Sequence, residues 1–287
     1  MTRAPRTPAT GRAPETPRTA LTVAGSDSGG GAGIQADLRT FFACGVHGMT
    51  AVTAVTVQNS LGVDGFTEIP PDVVTAQMRT VAGDMGVDAA KTGMLASADI
   101  IRTVATTADD LGIGRGPGRT PLVVDPVAAS MHGDPLLRDE ALEAIRTELF
   151  PRATLVTPNL DEVRLLTGVR VTDADSRRAA ADALLELGPR WVLVKGGHLA
   201  EDPRCVDLLA DGTDYVDLEG PRYETEHTHG GGDTLASAVT AHLARGLDVP
   251  DAVAKGKRFI ERCVAESYPL GAGVGPVSPF WRLAPEE

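Results

Sequence analysis

Three consecutive glycines followed by an aspartate stand in the segment Thr-His-Gly-Gly-Gly-Asp-Thr, which runs from Thr228 to Thr234. A predicted apolar helix follows over Leu235 to Leu243, so the glycine N–H groups are free and the helix dipole adds positive potential. Such a loop can stabilise charge on a transferring phosphoryl group, and Asp233 can take a proton from an attacking alcohol. Asp is also a preferred capping residue, and this loop alone favours capping. The glycines are Gly230, Gly231 and Gly232.

Further polar groups could complete a phosphate site. Asn159 and Glu162 stand on one side of a predicted helix start, and Asp125 ends a predicted strand. Their oxygens suit a hydrated Mg²⁺, and Lys195, which precedes two glycines, could neutralise a phosphate. In isolation, however, Asn159 and Glu162 more often form a capping box, and Lys195 is more often a surface lysine at a strand end.

A second glycine-rich segment, Gly25-Ser26-Asp27-Ser28-Gly29-Gly30-Gly31-Ala32-Gly33, joins the first predicted strand to a helix. It has neither P-loop spacing nor a complete G-x-G-x-x-G pattern, because Ile34 occupies the last position. The missing side chains would let a ligand lie against backbone amides, and Asp27 could accept a hydrogen bond from a substrate hydroxyl. A flexible strand-to-helix turn is the equally favoured alternative.

The elements that position these residues alternate between short β-branched runs and longer helical patterns. Predicted strands cover 20–25, 50–58, 88–93, 121–125, 154–157 and 191–195, and a hairpin covers 205–210 and 215–218 around Asp211-Gly212. Predicted helices cover 34–44, 71–82, 97–111, 135–149, 160–167, 176–187, 233–245 and 249–267. This order predicts one α/β domain over residues 19–287 with a parallel sheet between helices, after a disordered tail over residues 1–18.

The predicted strand ends explain why the polar residues belong together. In an open parallel sheet, ligands bind beyond the carboxyl ends of the strands. Here those ends carry the first glycine segment, Gln58-Asn59, the run from Lys91 to Met94, Asp125-Pro126, Thr157-Pro158-Asn159 and Lys195-Gly196-Gly197. The sequence therefore predicts one site at this edge.

Composition excludes several other classes of protein. A net charge of −12 argues against a nucleic-acid binder, and the longest apolar runs are strand-sized, which predicts no contact with a membrane. Three scattered cysteines show no metal-ligand spacing and suggest a reducing compartment, so we expect a cytoplasmic protein.

Taken together, the segments resemble hydroxymethylpyrimidine/phosphomethylpyrimidine kinase, a ribokinase-like enzyme of thiamine biosynthesis. The resemblance runs from Leu21 to Pro279. It rests, in chain order, on AGSDSGGGAGIQADLRTF, TAVTVQNSLGV, KTGMLAS, VVDPV, GDPLL, LVTPNLDEVRLLTG, VLVKGGH, THGGGDTLASA and GAGVGPV. It implies a three-layer sandwich with a mostly parallel central sheet, ATP as phosphoryl donor, Mg²⁺ and a homodimer.

The resemblance also implies a role for each matching residue. Gln58 would hydrogen-bond the aminopyrimidine, since a carboxamide offers a donor and an acceptor side by side. The residues expected to line the pyrimidine are Gly25, Asp27, Ala32, Met94 and Val127. The residues expected at Mg²⁺ and the nucleotide are Asn159, Glu162, Asp125, Lys195 and Thr228. Gly230 to Gly232 match the anion hole, with Asp233 as the base.

Two departures from the family pattern leave alternatives open. Many members carry the signature Gly-Thr-Gly-Cys, with cysteine at the position that Asp233 occupies in this chain. The loop Ser130-Met131-His132-Gly133 also differs from the pattern expected there. Aspartate is usual in the wider group, which includes sugar and pyridoxal kinases. A pyridoxal or pyridoxine kinase is therefore the nearest alternative, and a pyrimidine-binding protein without catalysis is a second one.

A carboxylate near the acceptor would also repel a phosphorylated substrate, so we expect the first phosphorylation to be favoured over a second.

Overall fold

The computed structural model describes residues 16–128, 137–197 and 204–283, and within these ranges ten strands and eight α-helices follow one another. The strands are β1 (Thr19–Ala24), β2 (His47–Val52), β3 (Ala54–Asn59), β4 (Gly62–Glu68), β5 (Ala89–Thr92), β6 (Leu122–Val124), β7 (Leu155–Val156), β8 (Trp191–Val194), β9 (Arg204–Ala210) and β10 (Tyr215–Pro221). The helices are α1 (Gly33–Ala43), α2 (Pro71–Asp84), α3 (Ala98–Asp110), α4 (Asp139–Ala144), α5 (Leu160–Thr167), α6 (Ala174–Leu185), α7 (Gly231–Ala244) and α8 (Val249–Ala265).

Eight strands form one sheet in the order β10-β9-β8-β7-β6-β5-β1-β2. The six strands from β8 to β2 in this order run parallel, and β9 runs antiparallel to both of its neighbours. The predicted hairpin is confirmed as β9–β10. Its turn is set by Asp211, whose Oδ1 accepts the N–H groups of Thr213 and Asp214, and by Gly212, whose φ is +88°.

Apolar side chains of the sheet alternate between two cores, as a strand buried on both faces requires. Leu122 and Val124 of β6 pack into a core with α2 to α6, whereas Val123 packs into a second core with α1, α7 and α8. The predicted three-layer sandwich is thus confirmed. The six parallel strands all end at one edge, which is where the candidate site lies.

The predicted strand over residues 50–58 is wrong in one respect, because the structure divides it at Thr53. Thr53 donates its hydroxyl to the Met94 carbonyl at 2.6 Å, and its N–H to the Ala24 carbonyl at 3.0 Å. β2 stays in the main sheet, while β3 pairs antiparallel with β4 in a separate two-stranded sheet, here called the β3–β4 hairpin. Gln58 and Asn59 therefore lie on this hairpin and not at the end of a main-sheet strand.

Other predicted boundaries move by a few residues. The helix predicted over residues 135–149 is α4 followed by a π-helical turn over Ile145–Leu149, and residues 135 and 136 lie outside the described ranges, as does the loop over residues 130–133. Residues 1–15 of the predicted tail also lie outside them; Arg18 contacts Asp88 at 3.1 Å. No helix in the described part of the chain is long and apolar enough to cross a membrane.

Candidate active site

Asp233 lies in the first turn of α7, where Gly230 occupies the capping position with a φ of 73°. In the described part of the chain, no side chain caps this helix. The carboxylate of Asp233 instead accepts hydrogen bonds from Lys91 Nζ at 2.7 Å and from the Gly33 N–H at 3.0 Å. The capping interpretation, which the loop sequence alone favours for Asp233, is therefore wrong.

Lys91 reaches Asp233 from the interior of the protein. Its side chain on β5 is fully buried, and its Nζ also donates to Asp37 Oδ1 on α1 at 2.8 Å. Asp37 in turn accepts hydrogen bonds from the hydroxyls of Thr22 and Ser237, each at 2.6 Å. One lysine thus serves two carboxylates, which leaves one uncompensated negative charge at the site.

The charges of this pair decide its protonation. Burial alone would raise the pKa of Asp233, but the charge and hydrogen bond of Lys91 outweigh burial and hold that pKa below its ordinary value. Burial alone would lower the pKa of Lys91, but the charges of Asp233 and Asp37 raise it. Both groups are therefore ionised at neutral pH, and Asp233 is ready to accept a proton.

Lys195 follows β8 and brings positive charge to the start of α7. Its Nζ lies 3.1 Å from Asp125 Oδ1, and a Cβ placed on Gly232 would lie 3.3 Å from both Lys195 Nζ and Asp125 Oδ2. Burial would lower the pKa of Lys195, but the charges of Asp125 and Glu162 raise it, so the ammonium stays charged. The structure therefore brings the glycine loop and this lysine together.

Asn159 and Glu162 form the capping box of α5, so the capping interpretation of this pair is confirmed. Asn159 Oδ1 accepts the Glu162 N–H at 2.9 Å, and Glu162 Oε2 accepts the Asn159 N–H at 2.8 Å. Glu162 Oε1 also accepts the Ala128 N–H at 3.1 Å. Burial raises the pKa of Glu162 to about 7, with the charge of Lys195 opposing this rise and that of Asp125 adding to it.

The oxygens of Asn159, Glu162 and Asp125 fit Mg²⁺ as a partial ligand set. No group of three or more His, Cys, Asp or Glu side chains placed to hold a metal occurs among the described residues. Mg²⁺, however, keeps several waters and takes few protein ligands, and a cation near the buried Glu162 would stabilise its ionised form. These residues therefore suit a hydrated ion bound together with substrate phosphates, and their role as ligands stays a prediction.

The first glycine segment is folded around Asp27, which is only 2% exposed. Asp27 Oδ1 accepts the Gly29 N–H at 2.8 Å, and Oδ2 accepts the N–H groups of Gly31 at 2.9 Å and Ala32 at 2.8 Å. The ring Nε2 of His229 lies 2.9 Å from the same oxygen. The structure thus uses the Asp27 carboxylate to shape the loop.

The two glycine segments touch each other. A Cβ on Gly31 would lie 2.3 Å from His229 Cδ2, and a Cβ on Gly230 would lie 2.0 Å from the Gly31 carbonyl oxygen. Only glycine fits at either position without movement of the neighbouring loop. The sequence gives no sign of this contact, because the segments are about 200 residues apart.

The β3–β4 hairpin covers the first glycine segment. The Ser28 hydroxyl lies 3.1 Å from the Thr56 carbonyl, and the Thr56 hydroxyl donates to the Ser26 carbonyl at 2.7 Å. Gln58 Nε2 lies 3.5 Å from His229 Nε2, so the predicted pyrimidine-binding amide does stand beside both glycine segments.

The remaining predicted contacts are placed as follows. The Gly25 N–H donates to the Met94 carbonyl at 3.1 Å, and Met94 Sδ lies 3.6 Å from where a Cβ on Gly25 would be. Val127 has a φ of +44°, which is unfavourable for a β-branched residue, and the hydrogen bond from the next N–H to Glu162 fixes this turn. Thr228 is exposed, and its carbonyl accepts the Gly231 N–H at 3.1 Å.

The C-terminal GAGVGPV segment contacts both the second glycine loop and the turn of the β3–β4 hairpin. The His229 N–H donates to the Gly275 carbonyl, and the Val277 N–H donates to the His229 carbonyl, both at 3.1 Å. The N–H groups of Gly273 and Val274 bind Ser60 at 3.2 and 2.9 Å. This segment therefore ties the β3–β4 hairpin to the second glycine loop.

From the sequence we predicted no role for Lys91, Asp37 or His229. A signal was present for the first two, because each is a charged residue within an otherwise apolar strand or helix face, and a buried charge requires a partner. For His229 the signal was weaker, since a histidine beside three glycines has no fixed role.

Comparisons with known proteins agree with this geometry. A family model for phosphomethylpyrimidine kinase matches residues 27–278. A hydroxymethylpyrimidine/phosphomethylpyrimidine kinase of Mycobacterium leprae is 57% identical over 271 residues, which cover 93% of this chain and 95% of that protein. The ADP complex of Bacillus subtilis pyridoxal kinase has a TM-score of 0.84 at 39% identity and covers 94% of this chain and 100% of its own. Phosphomethylpyrimidine kinase from Clostridium difficile has a TM-score of 0.74 at 37% identity, over 85% of this chain and 97% of its own.

The matched residues include Lys91, Lys195 and the whole second glycine loop with Asp233. The fold agrees with that of both solved kinases over most of the chain. The resemblance seen in the sequence is thereby confirmed, and the chain belongs to the phosphomethylpyrimidine kinase family of ribokinase-like phosphotransferases.

Proposed function

We propose that this protein transfers the γ-phosphoryl group of ATP to the primary alcohol of 4-amino-5-hydroxymethyl-2-methylpyrimidine, a step of thiamine biosynthesis. The observation that carries the proposal is an ionised Asp233, paired with Lys91, beside a helix start whose Gly232 lies against Lys195. The name of the similar enzyme from Mycobacterium leprae supports the choice of acceptor.

In the proposed reaction Asp233 takes the proton of the alcohol while the alcohol oxygen attacks the γ-phosphorus. The bond from that phosphorus to the β–γ bridging oxygen breaks, and ADP leaves with the electron pair. Free N–H groups at the start of α7, together with Lys195, stabilise negative charge on the transferring group. Mg²⁺, held through Asn159, Glu162 and Asp125, would neutralise phosphate charge.

The pyrimidine is proposed to lie under the β3–β4 hairpin, with its amino group on the Gln58 carboxamide. Asp27 would position the first glycine segment against the substrate, because its carboxylate accepts hydrogen bonds from the backbone of that segment. The other proposed pyrimidine contacts are Gly25, Ala32, Met94 and Val127. Thr228, exposed beside the second glycine loop, is proposed to contact the nucleotide.

Replacing Asp233 with asparagine tests the base. Because asparagine cannot accept the proton, turnover of the pyrimidine alcohol should fall roughly a hundredfold or more. Asp251→Asn is a matched control, since Asp251 is the third residue of α8 as Asp233 is of α7, but it is exposed. Steady-state ADP release by both variants measures the effect. Nearly intact turnover in D233N would remove Asp233 from the mechanism.

A panel of acceptors tests the substrate. The pyrimidine alcohol should give the highest kcat/KM, and its monophosphate a lower one. A carboxylate repels a second phosphate by about 4 kcal/mol at about 4 Å and an effective dielectric of 20, before counter-charges screen it. Pyridoxal belongs in the panel because the structure of a pyridoxal kinase is so similar. A higher kcat/KM for pyridoxal would favour the pyridoxal kinase alternative. ADP release that does not depend on an added acceptor would contradict both the pyrimidine kinase and the pyridoxal kinase.

We also propose a cytoplasmic homodimer. The three cysteines are free, which suits a reducing compartment. The hairpin exposes Val55, Val57 and Leu61 by 50%, 60% and 71%, and a two-stranded sheet with so much apolar surface is marginal alone. A second copy of the chain packed against the hairpin would bury this surface.

A further inference from the structure

A cavity of about 280 Å³ lies at the opposite end of α7 from Asp233. Four cationic side chains line it: Arg245 just after α7, Lys255 and Arg258 on α8, and Arg282 near the C-terminus. Phe259, Trp281 and His242 complete its wall. The cavity shares no residue with the proposed kinase site.

The concentration of positive charge is unusual for this molecule, whose net charge is −12. In the described part of the chain, none of the four cations forms an ion pair with a carboxylate, whereas arginines elsewhere, such as Arg79 and Arg262, do. Arg245 Nη1 donates a hydrogen bond to the Cys44 carbonyl at 3.3 Å. All four residues are exposed, so water and salt screen their mutual repulsion, and an anion among them would lower it further.

His242 supplies a second and independent observation. Its side chain lines the cavity and is only 6% exposed, and its Nδ1 is buried with no hydrogen-bond partner among the described residues. Buried polar atoms almost always have partners, so this nitrogen leaves hydrogen-bonding capacity unused in the wall of the cavity. Burial, followed by the charges of Arg245, Lys255, Arg282 and Arg258, lowers the pKa of His242 to about 4.

Helix dipoles alone do not account for the cluster. Cations do stabilise the carboxyl end of a helix such as α7. The connection from Arg245 to Asp248 is short, however, so the positive start of α8 already lies beside the negative end of α7. Lys255 and Arg258 stand about two turns further along α8, and Arg282 belongs to a separate 3₁₀ turn.

We propose that this cavity is a second anion-binding site, which takes a compact polyanion of the diphosphate or triphosphate class. Guanidinium groups bind phosphate oxygens in pairs, and Arg245, Arg258 and Arg282 provide three of them around one space. Arg282 also stacks over Trp281 at 4.6 Å from the ring centroid and over Phe259 at 5.8 Å, which holds its guanidinium at the wall. The volume suits a small phosphorylated molecule and not a drug-sized one.

Trp281 makes the site directly measurable. The chain has only two tryptophans, so the full-length variant Trp191→Phe keeps Trp281 as the single fluorescent reporter. Inorganic pyrophosphate should change its fluorescence with a saturable curve. Adding Lys195→Met weakens anion binding at the kinase site and should leave this curve unchanged.

Arg258→Gln combined with Arg282→Gln should raise the Kd for pyrophosphate at least about tenfold, because charge-assisted hydrogen bonds are lost. Arg79→Gln, on the other face of the protein, is the matched control and should not change it. Calorimetry on the same variants gives the binding independently of fluorescence, and circular dichroism confirms that they are folded. ADP, tested alongside, shows whether the diphosphate is bound when free or also when carried by an organic group. No saturable binding at Trp281, or an unchanged Kd in the double variant, would overturn the proposal.

Discussion

One buried ion pair governs the chemistry of the proposed base. Lys91 Nζ contacts both Asp37 and Asp233, and its side chain has no exposure to solvent. The same contact that keeps Asp233 ionised also fixes its position near the start of α7. Lys91 is thus a positioning residue for the base, and its removal changes the pKa of Asp233 as well as the packing.

Lys91→Met tests this dependence. Without the ammonium, burial and the neighbouring carboxylate raise the pKa of Asp233, so the acid limb of the kcat/KM profile should move to higher pH by about one unit or more. The free energy of unfolding should also fall by about 3 kcal/mol, because two buried carboxylates lose their partner. The pH profile and denaturant unfolding provide the two measurements.

The double variant Asp37→Asn/Lys91→Met separates the two effects. It removes a negative charge along with the positive one, so it should recover part of the lost stability, while the part of the acid-limb shift that comes from burial remains. An acid limb in the wild-type position in either variant would show that Lys91 does not set the pKa of the base.

At the scale of single residues, the sequence predicted which chemical groups stand at the site better than it predicted which residues they contact. Asn159 and Glu162 fit two interpretations, and the structure shows the capping box. Asp233 also fitted two, and here the structure shows no cap but an ion pair. The two cases differ in their tertiary contacts. The Asp233 side chain contacts the buried Lys91, whereas Asn159 and Glu162 bind the backbone of their own helix start. No local pattern contains that information.

At the scale of elements, the β3–β4 hairpin is the main departure from the predicted arrangement. The run from Thr50 to Gln58 is rich in Val and Thr on both sides of Thr53, so nothing in the local pattern ends β2 at Val52. The break at Thr53 is made by tertiary hydrogen bonds to Met94 and Ala24. The helix α5, which begins at a capping box and ends at Gly168, was predicted to the residue, because both of its ends are set locally. A cap alone was not enough for α6, which begins two residues before the predicted start although Asp173 and Ser176 form a capping box.

Val57→Asp tests whether the hairpin forms the dimer interface. A charge placed in the centre of an apolar contact should convert a dimer to monomers at micromolar concentration, which sedimentation equilibrium measures. Val216→Asp on the exposed face of β10 is the matched control and should leave the mass unchanged. A monomeric wild-type protein, or a dimer that survives Val57→Asp, would contradict the proposed interface.

At the scale of the whole molecule, the sequence predicted the fold and the position of the site. Parallel strands put all their carboxyl ends at one edge, so polar residues at successive strand ends had to meet there. The cavity lined by four cations could not be predicted, because its residues come from α7, α8 and the C-terminal turn and share no motif. Its neutral His242 has a consequence for the stability of the entire chain.

His242 should contribute stability that the protein loses as pH falls from about 6.5 to about 4. His242 is neutral in the folded protein, with its pKa lowered to about 4, but takes up a proton near pH 6.5 when unfolded. Since the unfolded chain binds more protons in this window, the stabilisation is complete above pH 6.5 and is lost on acidification, by up to about 3 kcal/mol.

The difference in unfolding free energy between the wild type and His242→Gln should therefore shrink as pH is lowered through this window, measured by urea titration at several pH values. His47→Gln, at an exposed histidine, serves as the control and should keep the wild-type slope. Identical slopes for wild type and His242→Gln would refute the assignment.

The hydrogen bond from Gly33 to Asp233 joins positions 200 residues apart in the chain. A ribosome adding about 5–20 residues per second needs roughly 10–40 s to make that stretch. During this interval the nascent polypeptide carries its first glycine loop without the proposed general base and without His229. A prematurely terminated translation product therefore lacks the means to consume ATP, and catalytic competence arrives only when synthesis is almost finished.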